Sequence, residues 1–250
     1  MTTTIAESLQ LLQHADGEAA IVFDRARLPQ AGYGLFEPAA WGGEARPVGE
    51  RGGRGAAWFV RGEFGEAVLR HYRRGGLVAR FNRDRYLWRG ADRTRSFAEF
   101  RLLAELRGLG LPVPAPIAAG YRRRGLTYTA DILVQRIPGA RSLAELLGDD
   151  LDAPPWARVG EVLAAFHRAG VCHADLNAHN ILIDPECAVW LIDFDRGRRR
   201  RVADDWRHAN LRRLQRSLLK LRGIHAVEAV MRCHRVIVAG YESAWAGEAA

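Results

Sequence analysis

Two carboxylates and an amide set beside apolar, β-prone runs constrain this chain more than any other feature. Residues 173–184 read HADLNAHNILID, and residues 189–197 follow with VWLIDFDRG. Unpaired charge is costly to bury, on the order of several kcal/mol per ion, so a fold keeps Asp away from such runs unless chemistry requires it there. The preceding stretch, WARVGEVLAAFHRAG, places Val159, Val162, Leu163 and Phe166 at the i, i+3, i+4, i+7 spacing of a core-facing helix. HADLNAHN is therefore expected to be a loop between a buried helix and a short strand, ILID, with AVWLIDF as a second short strand. Asp175 and Asn180 share the loop, and Asp193 ends the second strand.

That order suits phosphoryl transfer. One carboxylate, Asp175, would stand near an attacking hydroxyl, while the Asn180 amide oxygen and the Asp193 carboxylate would be hard ligands for Mg²⁺ on nucleotide phosphates. Any single Asp or Asn in a loop is more often a turn former or a cap. The ordered set, HxDxxxxN followed by a strand-terminal DFD, carries the reading.

A chain of 250 residues, 48% hydrophobic, can bury a real core as one domain or two small lobes. Its formal charge of +8 is uneven. Residues 51–124 hold 17 Arg against 6 acidic residues, and residues 196–222 hold 11 basic residues against Asp204 and Asp205, whereas residues 1–50 are net acidic. Two basic zones suggest an anionic partner, phosphate or an anionic membrane surface, against the plainer reading of solvated Arg-rich faces. A specific nucleic-acid partner is not expected, because no reading helix or aromatic platform is recognisable. Cys172, Cys187 and Cys233 show no CxxC spacing, which points to buried thiols in a reducing compartment. The N-terminus has no signal-peptide pattern and no run approaches 18 apolar residues, so a cytoplasmic protein with no transmembrane segment is expected.

The first 50 residues read as a lead-in. GRGAAWFVRG and EFGEAVLRHYRRGG then read as a strand, a turn and a strand. SFAE predicts a helix from Ser96, with Ser96 and Glu99 as a capping box, running to Gly110. YRRRGLTYTADILVQRIPGA predicts two more strands, Leu143–Leu147 a short helix, and the chain from Asp205 onward is helical. There Leu211, Leu214, Leu218 and Leu221 oppose a cationic stripe of Arg212, Arg216 and Lys220, expected to be a solvated face.

HADLNAHN resembles the protein-kinase catalytic loop, and LIDFD resembles the segment whose first Asp holds metal. The resemblance spans about residues 48–222 and implies an α+β, two-lobe fold. Residues 1–47 would be an N-terminal extension packing on the N-lobe, 48–137 an N-lobe of antiparallel sheet with one helix, and 138–250 a mainly helical C-lobe. It also implies roles. The Gly49–Gly55 turn, with Gly52, Gly53 and Gly55, would cover the phosphates of ATP; AVLRHY would be the third strand; Glu99 would be its helix partner; and Gln135, Arg136 and Ile137 would line the adenine pocket through backbone groups.

Two departures matter. Arg70 stands where the third strand of the kinase fold carries Lys; a guanidinium can hold phosphate, but with a different geometry. Glu99 is then open to two roles, partner of Arg70 or capping-box carboxylate. The second departure is Asn177, which stands where protein-phosphorylating kinases place Lys two residues after the catalytic Asp. No APE follows the DFD segment, and Ala174 leaves no Arg beside His173 to receive an activation-loop phosphate. A small-molecule or lipid-sugar acceptor fits better than a protein.

The longer stretch LRHYRRGGLVARFNRDRYLW, the hinge RIPGARSL and HADLNAHNILID closely resemble the 3-deoxy-D-manno-octulosonic acid (Kdo) kinases of Gram-negative bacteria, which belong with the lipopolysaccharide core heptose kinases. That resemblance implies Mg²⁺- and ATP-dependent phosphorylation of the 4-hydroxyl of Kdo on the lipid A precursor, at the cytoplasmic face of the inner membrane. The protein would sit there peripherally, against anionic lipid. Asp175 would accept or orient the hydroxyl proton, Asn180 and Asp193 hold Mg²⁺, Arg70 contact phosphate, His173 brace the loop and Asp195 stand behind it. Arg73, Arg74 and Arg198–Arg201 could meet substrate, membrane or solvent. The rival readings are a kinase of the same fold with another acceptor, such as heptose, and a non-catalytic module that binds anionic lipid.

Overall fold

The computed structural model describes residues 5–14, 17–48, 57–73 and 84–247. The expected phosphate-covering turn, with Gly52, Gly53 and Gly55, lies outside the described residues, as do Arg74, Gly75 and Gly76. The chain divides into two compact units, Met1–Gly108 with Pro114–Arg136, and Leu109–Val113 with Ile137–Ala250.

Among the described residues the first unit is an antiparallel sheet carrying one α-helix. In chain order its strands are β1 (Glu7–His14), β2 (Gly17–Asp24), β3 (Arg46–Pro47), β4 (Trp58–Gly62), β5 (Gly65–His71), β6 (Tyr86–Leu87), β7 (Pro116–Arg124) and β8 (Thr127–Gln135), with helix α1 (Arg95–Gly108) between β6 and β7. The spatial order is β1-β2-β7-β8-β5-β4-β3, and β6 pairs with β8. The hairpins expected within residues 53–76 and 121–140 are present as β4–β5 and β7–β8, although β7 begins earlier than expected, at Pro116.

The first 50 residues do more than lead in. β2 pairs with β7 along six residues, from Glu18 opposite Arg123 to Phe23 opposite Ala118, so β1 and β2 extend the sheet itself. Their apolar run divides by parity, as a strand's must. Ala19, Ile21 and Phe23 join a core of Leu28, Tyr33, Phe36, Leu69, Ile117 and Leu133, while Ala20 and Val22 are buried on the opposite face. The Phe36 ring lies directly on Gly120 of β7, where a Cβ would stand 2.6 Å from the ring.

Helix α1 packs on β7 and β8 through Phe97, Phe100, Leu103 and Leu106, all buried, with the Phe97 ring edge-on to Tyr121 at 5.3 Å. The capping box expected at Ser96 is not formed. The helix already includes Arg95, Ser96 is fully buried and donates its hydroxyl to the Gly120 carbonyl at 2.9 Å, and the Glu99 carboxylate is held by other groups. Tertiary bonding has claimed both side chains. The same S-x-x-E pattern recurs in SLAE, where Ser142 Oγ accepts from Glu145 N–H at 3.2 Å and Glu145 accepts from Ser142 N–H at 2.7 Å, a complete capping box.

The second unit is mainly helical, with α2 (Leu143–Asp149), α3 (Trp156–Arg168), α4 (Asp204–Lys220) and α5 (Val227–Gly247). Short strands β9 (Arg141–Ser142), β10 (Val171–Cys172), β11 (Ile181–Ile183), β12 (Val189–Leu191) and β13 (Arg198–Arg199) form a β12-β11-β9 sheet and a β10-β13 pair. Helices α3 and α5 meet at paired glycines: a Cβ on Gly160 would lie 2.0 Å from the Ile237 carbonyl oxygen, and one on Gly240 2.3 Å from that of Ala157. The two backbones approach where no side chain intervenes, and Val159, Leu163, Ile237 and Tyr241 close the core around the crossing. An antiparallel sheet with one helix in one unit and a mainly helical second unit make the chain α+β, the class expected.

Candidate active site

In the second unit, β10 ends at Cys172 and the chain enters the HADLNAHN loop, which returns through a short 3-10 turn, Ala178–Asn180, into β11. Leu176 and Ala178 are fully buried and His173 is 3% exposed, whereas Asp175 faces solvent. The apolar residues pin the loop and turn the carboxylate outward. His173 bridges two segments: its Nδ1 accepts from the Asp175 N–H at 3.1 Å, so its Nε2 carries the proton and donates to the Ile192 carbonyl at 3.0 Å. Burial lowers the His173 pKa, holding the ring neutral in that tautomer, the state a brace requires.

Asn177 explains its own presence where a Lys was missing. Its Oδ1 accepts from His179 N–H at 2.9 Å, and its Nδ2 donates to the Asp175 carbonyl and to Asp175 Oδ2, both at 3.1 Å. Lys has no acceptor and could not make this double bond. Position 177 is thus committed to holding the loop.

Strands β11 and β12 bring the two expected metal ligands to neighbouring positions. Ile181 pairs with Leu191, and the Ile192 N–H donates to the Asn180 carbonyl at 3.1 Å, so the residue before Asp193 is hydrogen-bonded to Asn180 itself. The buried Asn180 donates Nδ2 to the Asp175 carbonyl at 2.9 Å, so Oδ1 is the atom with which it could hold a metal ion. Asp193 takes a left-handed backbone with φ of 61°, a conformation that costs a non-glycine residue about 1 kcal/mol or more. Phe194 beside it is buried, stacked on Phe166 at 5.8 Å and against His173 at 4.8 Å. One buried ring therefore anchors the turn that carries Asp193. Among the described residues no group of three or more His, Cys, Asp or Glu gathers into a metal centre. The amide oxygen and carboxylate nonetheless fit Mg²⁺, which takes few protein ligands and draws the rest from water and phosphate.

In the first unit, Arg70 on β5 and Glu99 on α1 form the expected pair: Arg70 Nη2 lies 2.6 Å from both carboxylate oxygens. Tyr72, two residues along the same strand face, adds its hydroxyl to Oε2 at 2.5 Å, and its ring lies under the Arg70 guanidinium at 4.9 Å. Glu99 is 3% exposed, so this is a desolvated carboxylate held by charge-assisted bonds. At the end of β8 the Gln135 N–H donates to Ala115 and the Arg136 N–H to Glu66, so neither amide is open to an adenine ring.

The Lipopolysaccharide kinase (Kdo/WaaP) family matches residues 38–234 of this sequence. The chain belongs to this family. It is 56% identical over 239 residues to a 3-deoxy-D-manno-octulosonic acid kinase of Stenotrophomonas maltophilia (strain K279a), covering 96% of both chains. It is 55% identical over 239 residues to the protein of that name in Xanthomonas campestris pv. campestris (strain B100), again covering 96% of both, and 54% identical over 228 residues to that of Xylella fastidiosa (strain M12), covering 91% of both. As a member of this kinase family the chain is a phosphotransferase with an alcohol acceptor.

One helix face beside the loop was not singled out by the sequence. Asn210, Arg213 and Ser217 lie at i, i+3 and i+7 on α4 and follow the HADLNAHN loop. Asn210 Nδ2 donates to the His173 carbonyl at 3.0 Å, Arg213 Nη1 lies 3.2 Å from Asp175 Oδ1, and Ser217 Oγ accepts from the Ala178 N–H at 3.1 Å. The expected division of α4 is present for buried Leu211, Leu214 and Leu218 and exposed Arg212, Arg216 and Lys220, whereas Leu221, the fourth leucine of the expected face, is only half-buried and caps the end of the helix. The polar edge between those faces was the available signal.

Proposed function

We propose that the chain transfers the γ-phosphoryl group of ATP to the 4-hydroxyl of Kdo on a lipid A precursor. The single observation that carries this reading is the loop, with an exposed Asp175 beside the adjacent Asn180 and Asp193. The names of relatives more than half identical over nearly the whole chain supply the sugar; its 4-hydroxyl and the lipid A precursor rest on the family resemblance of the sequence.

The hydroxyl oxygen of the acceptor attacks the γ-phosphorus and its proton passes to the Asp175 carboxylate; the bond from phosphorus to the bridging oxygen breaks, and that oxygen keeps the electron pair on ADP. Asn177 and His173 hold Asp175 in place for that proton. Bound Mg²⁺, held by Asn180 and Asp193, would neutralise phosphate charge. Arg70, held by Glu99 and Tyr72, would contact the nucleotide phosphates; Gly52, Gly53 and Gly55, expected to cover them, lie outside the described residues. The adenine would be held by Ile137 and by carbonyl groups of the stretch from Gln135.

The acceptor carries a sugar carboxylate and lipid phosphates, and the basic zones suit it and the anionic inner-membrane surface around it. No helix among the described residues is long and apolar enough to cross a membrane. Ile224, 98% exposed between α4 and α5 and close in sequence to Lys220 and Arg222, supports a peripheral contact at the cytoplasmic face.

The test offers labelled ATP and Mg²⁺ with three acceptors: the lipid A precursor bearing one Kdo, the same precursor without it, and a heptose-bearing core. Transfer to the Kdo-bearing lipid alone is expected. Transfer to the heptose-bearing core alone would keep the reaction and replace the acceptor.

A further inference from the structure

Phosphoryl transfer spreads negative charge over the three equatorial oxygens of the moving group, and a cation beside them is worth several orders of magnitude in rate. In this chain the position two residues after Asp175, where a kinase-like loop would carry such a cation, is Asn177, and both ends of that side chain are engaged in holding the loop. A cation is nevertheless present beside Asp175. Arg213 reaches across from α4 and places Nη1 3.2 Å from Asp175 Oδ1.

We propose, on the transfer reading above, that Arg213 is a catalytic residue that contacts the transferring phosphoryl group, supplying from helix α4 the charge that the loop itself lacks. A hydroxyl held by Asp175 would sit about 2.7 Å from a carboxylate oxygen, and its in-line phosphorus about 3–3.5 Å further on. A guanidinium already touching that carboxylate needs to move only a few ångströms to meet the phosphoryl oxygens, and its planar fork suits them.

The contact it leaves is cheap to break. Arg213 and Asp175 are 47% and 62% exposed at their side chains, and an ion pair so exposed is worth about 1 kcal/mol or less. The backbone beneath is fixed, because Asn210 and Ser217, one turn to either side, bind the catalytic loop at His173 and Ala178. Arg213 therefore combines a fixed base with a free tip. Arg212 and Arg216 lie on the solvent side of the same helix and make no bond to the loop among the described residues.

The test measures kcat and KM for ATP and for the Kdo-bearing lipid in Arg213→Ala, Arg213→Lys and Arg216→Ala, with thermal unfolding as the check on folding. Arg213→Ala is expected to lower kcat by about 10²-fold or more while both KM values stay within about threefold, because the contact is made in the transition state. Arg213→Lys should recover part of that loss, and Arg216→Ala, whose side chain bonds to no part of the loop among the described residues, should keep the unaltered kcat whatever its effect on the lipid KM. If kcat in Arg213→Ala stays within about twofold of the unaltered chain, the ion pair is only a surface contact and the proposal fails. A loss confined to the lipid KM would also overturn it, by placing Arg213 on an acidic group of the acceptor. An unaltered chain that transfers phosphate to no acceptor would overturn the transfer reading itself.

Discussion

Replacing Glu99 by Ala tests whether the pair in the first unit is a nucleotide-holding device as well as a structural one. The carboxylate is 3% exposed and receives Arg70 Nη2 at 2.6 Å on each oxygen and the Tyr72 hydroxyl at 2.5 Å. Removing one member of a buried ion pair costs about 3–5 kcal/mol, since the surviving charge loses its partner. Arg70 is 26% exposed, so water relieves part of that, and about 2–3 kcal/mol is the expected loss. Glu99→Gln, which keeps hydrogen bonding and loses charge, should cost about half as much. Urea unfolding measures these values, and calorimetry with Mg²⁺ and ATP measures the second consequence: an Arg70 freed from Glu99 no longer points in one direction, and nucleotide affinity should fall about tenfold. The double variant Arg70→Met with Glu99→Leu separates the roles. It should regain stability, because neither charge is left buried, without regaining affinity. Glu99→Ala with stability within about 0.5 kcal/mol of the unaltered chain and unchanged affinity would refute the reasoning. A double variant that binds nucleotide normally would show the pair to be structural alone.

Three further outcomes are expected. The His167 ring, buried against Trp206 and Tyr241, has its pKa lowered by burial from 6.5 to about 4. A depressed histidine contributes stability that is complete above pH 6.5 and is lost as pH falls toward 4, about 3 kcal/mol in all. His173 and His234 are shifted the same way by burial, while His71, raised chiefly by its hydrogen bond to Asp131, acts oppositely. Denaturation from pH 4 to 8 should show a shallower acid loss in His167→Asn, and an unchanged slope would contradict the assignment. Gly160→Ala should destabilise by about 3 kcal/mol or more, since its Cβ would meet the Ile237 carbonyl oxygen at 2.0 Å, although helix propensity alone favours Ala by about 1 kcal/mol; a stabilised variant would disprove the close helix crossing. Ile224→Glu should weaken sedimentation with anionic vesicles severalfold and leave phosphorylation of detergent-dispersed lipid intact, whereas undiminished vesicle binding would remove Ile224 from the membrane contact.

Much of the second unit was legible because its signals are local. The 3.6-residue stripe of α3, the two short strands around a polar loop and the leucine face of α4 each follow from neighbours in sequence. What escaped was nonlocal. β2 takes its place from β7, about a hundred residues on, and GEAAIVFD, buried on both faces, has too little alternation to declare itself a strand. The tetrapeptides SFAE and SLAE carry the same capping pattern, yet only the second caps a helix, because Gly120 and Arg70 claim the side chains of the first. Arg213 was hidden for a related reason: in sequence it is one of a run of arginines, and only the path of α4 along the HADLNAHN loop separates it from Arg212.

The central claim is that the loop carrying Asp175, with Asp193, performs the transfer. It is tested most directly by single-turnover phosphorylation of the Kdo-bearing lipid in Asp175→Ala and Asp193→Ala, both shown to be folded. Each variant is expected to lose about 10²–10⁴-fold or more of the transfer rate, since removing a base or a metal ligand should raise the barrier by several kcal/mol. Near-normal turnover in both would contradict the account.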